Sequence, residues 1–309
     1  MHKLPPKNPK IALKTVNLQG LTAFRKTKPT IPNYINPQLA YLAGALRDGT
    51  ISKTTGPYGT KYYLAICNKD KIWLDSVIRP TIETIFNIKL GKILKDRQKH
   101  QIRIRKYGIV QFLADLFQHP YGKQTLWKTP KIIEDSHKEI KKWFLRGFYD
   151  SEGGCGNITK LYNKYPWHSP FPIRFHSGWI NEKECPPLDS IRYILTEDFG
   201  IKCSPVIFSK RYKTGRYKTQ VKMFYIKITD KEQKLKFIKT IGSSNPTKFK
   251  ELLFLKGLLL KAEPHNQRVT ADRSRTDALK MDGSKLSTET SDTKRYSVER
   301  RSVRVEVGA

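Results

Sequence analysis

Apolar positions along the chain change their period in a fixed order, and they do so twice. In "NPQLAYLAGALRDG", Leu39, Leu42, Ala43 and Leu46 fall at i, i+3, i+4 and i+7, which predicts a helix. Asn36 can cap it, and Pro37 suits its first position. The period then drops to two in "GTKYYLAICNKDK" and "KHQIRIRKYG", with helix-like "LDSVIRPTIETIFNI" between them and "GIVQFLADLF" after. A second round opens with "SHKEIKKWFLRGFYDSEGG", where Ile140, Trp143, Phe144, Gly147, Phe148 and Ser151 line one helical face. Ser136 and Glu139 there have capping-box spacing. Helix-like "PLDSIRYILTEDFG" precedes the alternating "SPVIFSKRYK" and "VKMFYIKITDKEQKLKFIKTIG". Each half reads helix, two strands, helix, two strands, helix, so the chain is predicted to be an internal duplication of α+β units. The pattern lapses around "PYGKQTLWKTP", which is read as a linker between the copies.

The strands divide apolar from polar residues. In "HQIRIRK", Gln101, Arg103 and Arg105 share one face while His100, Ile102 and Ile104 share the other. One face suits a core, the other a solvated surface or the base edges and phosphates of DNA. Tyr225, Lys227 and Thr229 in the second half form a weaker counterpart.

Charge favours the nucleic-acid reading. The 309 residues carry 59 Lys+Arg against 27 Asp+Glu, a net charge of +32 that seeks a polyanion. From Lys261 onward eleven Lys/Arg face eight Asp/Glu, so +29 resides in residues 1 to 260. An anionic membrane is a poor alternative, because the sequence has no apolar run of membrane-spanning length and no lipidation signal. The four cysteines lack paired zinc-ligand spacing and read as reduced thiols, and the N-terminus lacks a secretory apolar core. An intracellular location is expected, cytoplasmic in a prokaryote, with an organelle open in a eukaryote. The expected divisions are a basic arm (1–36), a first unit (37–126), a second unit (127–262) and a polar, disordered tail (263–309).

The helices that open the two halves both end in an acid followed by glycine, Asp48-Gly49 and Glu152-Gly153. A carboxylate in the last turn opposes the helix dipole at a cost of ~0.3 to 1 kcal/mol unless a cation stands nearby. Each alone reads most simply as a helix end with glycine as a left-handed cap. Their recurrence, each with a small residue five positions earlier (Ala43, Gly147), suggests two helices packed side by side with both carboxylates at one end. Such a pair suits a hard divalent ion, and with phosphate-binding strands it amounts to a phosphodiesterase site.

At these residues "LRGFYDSEG" (145–153) resembles, in register, the nine-residue LAGLIDADG signature of homing endonucleases, and "YLAGALRDG" (41–49) resembles a divergent first copy. The resemblance covers roughly Pro37 to Lys256. It implies a monomer of two pseudo-symmetric αββαββα units forming a DNA-binding saddle, with the signature helices at the interface. It further implies an intron-encoded, Mg2+-dependent endonuclease (Mn2+ substituting) that cuts both strands of double-stranded DNA. Carried over, Asp48 and Glu152 are the metal-binding, catalytic acids, with Gly49 and Gly153 beside them. Lys69 corresponds to the family's basic residue near the metal, while His176 and Ser177 occupy the matching strand end in the second half. The implied DNA contacts are Asn68, Lys61, Gln101, Arg103, Arg105, Lys210, Arg211, Tyr225, Lys227 and Lys231. The first copy departs from the signature: aligned on Asp48, Gly44 falls one place late and Arg47 stands where the family prefers a small residue. A maturase acting on intron RNA, or a non-cleaving DNA-binding regulator, is the alternative on the same fold.

Overall fold

The protein is described by a computed structural model, in residues 11–12, 29–57, 59–122, 124–156, 158, 162–163, 171–180, 183–213 and 220–261. The polar tail from residue 262 and most of the basic arm lie outside the described residues.

The first half starts with α1 (Pro37–Ala45), where the Asn36 side chain accepts from the Leu39 amide and Pro37 takes the first turn, as the sequence predicts. Strands β1 (Gly49–Gly56) and β2 (Gly59–Asn68) follow. Next come a helical stretch with a π turn (Leu74–Ile78) and α2 (Arg79–Phe86). Strands β3 (Leu94–Asp96) and β4 (Lys99–Ile104) and helix α3 (Tyr107–Leu116) complete it. The second half repeats the order with α4 (Lys138–Glu152), β5 (Gly153–Gly154), β6 (Ile173–Trp179), α5 (Pro186–Tyr193), β7 (Ile207–Lys213), β8 (Gln220–Ile228), α6 (Lys231–Thr240) and α7 (Pro246–Lys261).

Both sheets are antiparallel and four-stranded, with matching orders β1-β2-β4-β3 and β5-β6-β8-β7. Their registers superpose as well. Cys67 faces Gln101 across β2 and β4, and His176 faces Tyr225 across β6 and β8, so Gln101 and Arg103 are the counterparts of Tyr225 and Lys227. One face of each sheet enters the core through Leu64, Ile66, Ile102 and Ile104, or Ile173, Phe175, Phe224 and Ile226.

α1 is buried along nearly its whole circumference, because the sheet lies on one side and α4 on the other. The two helices cross backbone to backbone. A Cβ on Gly44 would stand 2.2 Å from the Phe144 carbonyl oxygen, and one on Gly147 would stand 2.1 Å from that of Tyr41. Gly44, rather than Ala43, is therefore the close-packing partner of Gly147. The Ser151 hydroxyl ties the crossing by donating to Gly44 O at 3.2 Å.

The expected capping box does not form. His137 precedes the first turn of α4, while the Ser136 hydroxyl donates to Ile132 O, completing the short helix before it. Glu139 instead accepts from the Trp143 indole and from Lys142. The supposed linker is also more than a spacer: Trp127 is buried, and its indole donates to Phe117 O.

Candidate active site

The two signature helices end differently but reach the same level. α1 tightens into a 3-10 turn, Leu46–Asp48, whereas α4 stays α-helical to Glu152. A 3-10 turn rises about 2.0 Å per residue against about 1.5 Å, so Gly44 to Asp48 and Gly147 to Glu152 both span roughly 7.5 Å. The tightened turn absorbs the residue that the first copy lacks. Neither following glycine is a left-handed cap, since Gly49 (φ −123°) and Gly153 (φ −93°) are extended. Close approach requires them instead: a Cβ would meet Ala65 O at 2.8 Å from Gly49, or the Tyr149 ring at 2.2 Å from Gly153.

The charge of Asp48 reaches Glu152. Burial, then the charge of Asp48, pushes Glu152 up to about 8. Asp48 is itself raised by burial, and Lys99, Lys248 and the Asn68 amide, which donates to its carboxylate, hold it down.

Two cations and an amide underlie the pair, and the sequence pattern singles out neither Lys248 nor Gln124. Lys248 Nζ donates to the carbonyls of Tyr149 (2.9 Å), Ser151 (3.2 Å) and Gly153 (2.7 Å), so all three ammonium donors cap the end of α4. Gln124 Nε2 does the corresponding work on α1, donating to Leu46 O at 3.0 Å and Arg47 O at 3.1 Å. Gln124 lies twenty residues after the end of β4 and Lys248 twenty after the end of β8, which makes them pseudo-symmetry equivalents. Arg47 turns inward, donating to Trp127 O at 2.7 Å with its guanidinium over the rings of Trp127 (4.4 Å) and Phe148 (5.3 Å). Its charge helps hold Glu152 down. His119 stacks on Trp127 at 4.6 Å and binds Gln124 Oε1, and burial pushes it down to about 4.

A third carboxylate, Asp150, is fully buried and accepts from Tyr41 Oη, Ser243 Oγ and the Ser244 and Asn245 amides. It is a structural hub, turned from the acid pair by the helical register. Among the described residues no cluster of three His, Cys, Asp or Glu side chains could hold a metal. The pair nonetheless fits a hard divalent ion, because two close carboxylates of which one is raised by the other leave charge for a cation to satisfy. The Gly153 carbonyl already accepts from the Lys248 ammonium at 2.7 Å, which leaves it one lone pair for an ion.

The other predicted residues distribute as follows. Lys69 is exposed beside Asn68, but the cations acting most on Asp48 are Lys99 and Lys248. Arg103 is exposed on the open sheet face, donating to Gln101 Oε1 (2.7 Å) with its guanidinium 5.6 Å from the Tyr63 ring. Gln101 is buried rather than presented, its amide donating to Cys67 Sγ at 3.1 Å, so it orients Arg103. Lys61, Tyr62, Tyr63, Arg103, Arg105 and Tyr107 line a cleft of about 670 Å3 on this face. In the second half Tyr225 packs against His176 (5.9 Å) and Arg174 (5.8 Å), with Lys227 partly exposed. Lys210 is exposed on β7, and the Arg211 side chain lies outside the described residues. Lys231 opens helix α6 behind the Asp230 cap, not the strand.

Duplicated sheets, crossed glycine-bearing helices and paired terminal acids define an α+β protein with the two-unit LAGLIDADG fold. No protein-family model matches the chain. Over 125 residues, 40% of its length, it is 27% identical to homing endonuclease I-ApeI of Aeropyrum pernix, and over 140 residues, 42% of its length, it is 31% identical to an A-type ATP synthase subunit of Pyrococcus abyssi. The chain spans about half of the first relative (54%) and an eighth of the second (12%). In structure it is similar to I-DmoI in complex with DNA and Ca, with a TM-score of 0.50 and 17% identity, covering 71% of this chain and 97% of that one.

Proposed function

We propose that the protein is a site-specific homing endonuclease that makes double-strand breaks in DNA at an intron insertion site, using Mg2+, with Mn2+ able to substitute. The observation that carries this reading is the meeting of Asp48 and Glu152 at the ends of two crossed helices, where the charge of Asp48 raises Glu152. The likeness to I-ApeI and to a DNA-bound I-DmoI supports it. Asp48, Glu152 and the Gly49 and Gly153 carbonyls would hold the divalent ion, which when bound supplies Lewis acidity for water attack on phosphorus and for the leaving oxygen. Asn68 fixes the rotamer of Asp48 through its amide. Lys69, next to Asn68 at the end of β2, and Lys99, whose charge acts on Asp48, would steady phosphate oxygens or the attacking water. Arg103 and Lys227 read or neutralise DNA at equivalent points of the two sheets, with Lys61, Arg105, Lys210, Arg211, Tyr225 and Lys231 as flanking contacts. The chain acts as a monomer, since it carries both signature helices.

One observation favours a second reading, a DNA-binding regulator or a maturase on intron RNA. The buried Arg47 guanidinium supplies Glu152 with charge that a metal would otherwise bring. Plasmid carrying the intron-less insertion site separates the two. We expect linearisation with Mg2+ and none with EDTA, and Asp48→Asn or Glu152→Gln should abolish cutting with DNA affinity changed by less than about threefold. Cutting by both variants at the wild-type rate would remove the metal assignment; binding without cutting by the unaltered protein would leave the second reading.

A further inference from the structure

The first sheet ends in a step. Strand β2 pairs with β1 from Gly59 to Ile66, whereas its ladder with β4 begins only at Leu64, opposite Ile104. Residues 59–63 are therefore a free edge, and beyond it the chain leaves β4 through Arg105 and enters α3 at Tyr107. The cleft of about 670 Å3 opens in this angle. In the second half β6 begins at Ile173, level with the end of β8 at Ile228, so its described residues leave no such edge. Alternation along β2 gives the cleft two levels. Lys61 and Tyr63 belong to the open face with Arg103, whose guanidinium stands 5.6 Å from the Tyr63 ring. Tyr62 belongs to the core face with Leu64 and Ile66, edge-on to Tyr107 at 4.7 Å, and the Lys53 ammonium stands 5.6 Å from its ring.

We infer that this cleft takes one unpaired nucleotide of a bound nucleic acid, its base against the Tyr62 and Tyr107 rings and its phosphate among Lys61, Arg103 and Arg105. A duplex resting on the open face meets Lys61, Tyr63 and Arg103, but the sheet itself stands between it and Tyr62 or Tyr107. A base turned out of its stack at the free edge passes around β2 and reaches both. The lining suits such a guest. Tyr107, 40% exposed, presents its ring to solvent, and aromatic faces accept any base while the cations neutralise its phosphate. The volume lies between about 300 and 1,000 Å3, the range of clefts that enclose a small ligand.

The inference rests on the nucleic-acid reading of the open face but not on cleavage, so its test is binding by the full chain in EDTA. Fluorescence anisotropy compares a single strand of ten thymidines, an abasic strand of the same length and charge, ten uridines, and a ten-base-pair DNA duplex. The thymidine strand should bind about tenfold or more tightly than the abasic one, the scale of one stacked base. Tyr107→Ala should weaken the thymidine strand about tenfold more than the duplex, and Tyr107→Phe, which keeps the ring, should restore it. Tighter binding of uridine than of thymidine identifies the guest as RNA, and the reverse order as a base extruded from DNA; either supports the inference. A readout on the unaltered chain is photo-crosslinking of a strand carrying 5-iododeoxyuridine, which should mark Tyr62 or Tyr107, while a duplex carrying it should mark neither. Equal affinity for the abasic and thymidine strands, or crosslinks confined to Tyr63, would overturn the inference and return the cleft to duplex contact. Plasmid cutting without base-dependent binding sinks this inference alone; crosslinking at Tyr107 without cutting sinks only the nuclease reading.

Discussion

The first signature helix and the second reach one chemical end by opposite routes. α1 lacks a residue, ends in a 3-10 turn, is capped by the neutral Gln124 and buries a cation, Arg47, whose charge acts on Glu152 of the other helix. α4 is full-length, ends as an α-helix and borrows its cation from α7. What both halves share is backbone: strand order, register, the glycine crossing and the position of the cap. What differs is charge and helix length. Duplication thus preserves the frame that sets where two carboxylates meet, while the way their repulsion is offset is free to diverge.

The shared crossing gives the largest expected effect. Gly44→Ala and Gly147→Ala each force a methyl to about 2 Å from a carbonyl oxygen of the partner helix, where backbone, not a flexible side chain, must move. Overpacking of this kind costs ~1 to 3 kcal/mol in ordinary cores, and a rigid helix pair gives way less readily, so a loss of about 4 kcal/mol or outright unfolding is expected. Urea unfolding measures it. If the halves are equivalent here the two losses agree within about 1 kcal/mol, whereas a tolerated Gly44→Ala would show the divergent first helix to be loosely seated.

Next in size is a pH effect confined to the first half. His119, held near 4 by burial against Trp127, remains neutral in the folded chain where the unfolded chain, near 6.5, takes up a proton. Its contribution is present above pH 6.5 and drains away as the pH falls toward 4, to about 3 kcal/mol in total. Glu152 works the other way: its raised carboxyl stabilises the fold below the ordinary glutamate range and loses that contribution as pH rises toward 8. Stability against pH for His119→Gln should therefore lose the acid-side decline between pH 6.5 and 4 that the wild type shows. An unchanged slope would mean that the proton is bound elsewhere.

Much of this frame is legible in the sequence, for a physical reason. Helix period, strand alternation and the repeat are local, so Asn36 and Pro37, the faces of "HQIRIRK" and the correspondence of Arg103 with Lys227 follow from neighbours in the chain. The acid endings are likewise local patterns. What is not legible depends on closure of the chain over long separations: Lys248 under α4, Asp150 among Ser243 to Asn245, and Gln101 turned to Cys67. Ser136 shows the converse, a correct local pattern whose hydroxyl a competing helix end takes first. Arg47 looks like a flaw in the signature, and only the ring pocket of Trp127 and Phe148 shows it to be a built cation.

The smallest effect sharpens the comparison on the open sheet faces. Arg103 is exposed, pre-oriented by Gln101 and backed by Tyr63, whereas Lys227, its register equivalent, has a single flexible ammonium and the Tyr225 ring two residues away. A planar fork held in place loses less rotamer freedom on binding and can address a guanine edge with two donors; a lysine at the same place acts as a point charge. Arg103→Ala should therefore weaken binding to the insertion site by ~1 to 3 kcal/mol and relax base preference there, while Lys227→Ala should weaken specific and unrelated DNA alike and lower the salt slope by about one. Fluorescence anisotropy over a salt series, on matched and scrambled duplexes, reads both quantities. If Arg103→Ala changes only the salt slope, the guanidinium contacts phosphate despite its pre-orientation, and the two sheets bind DNA by the same sequence-blind means.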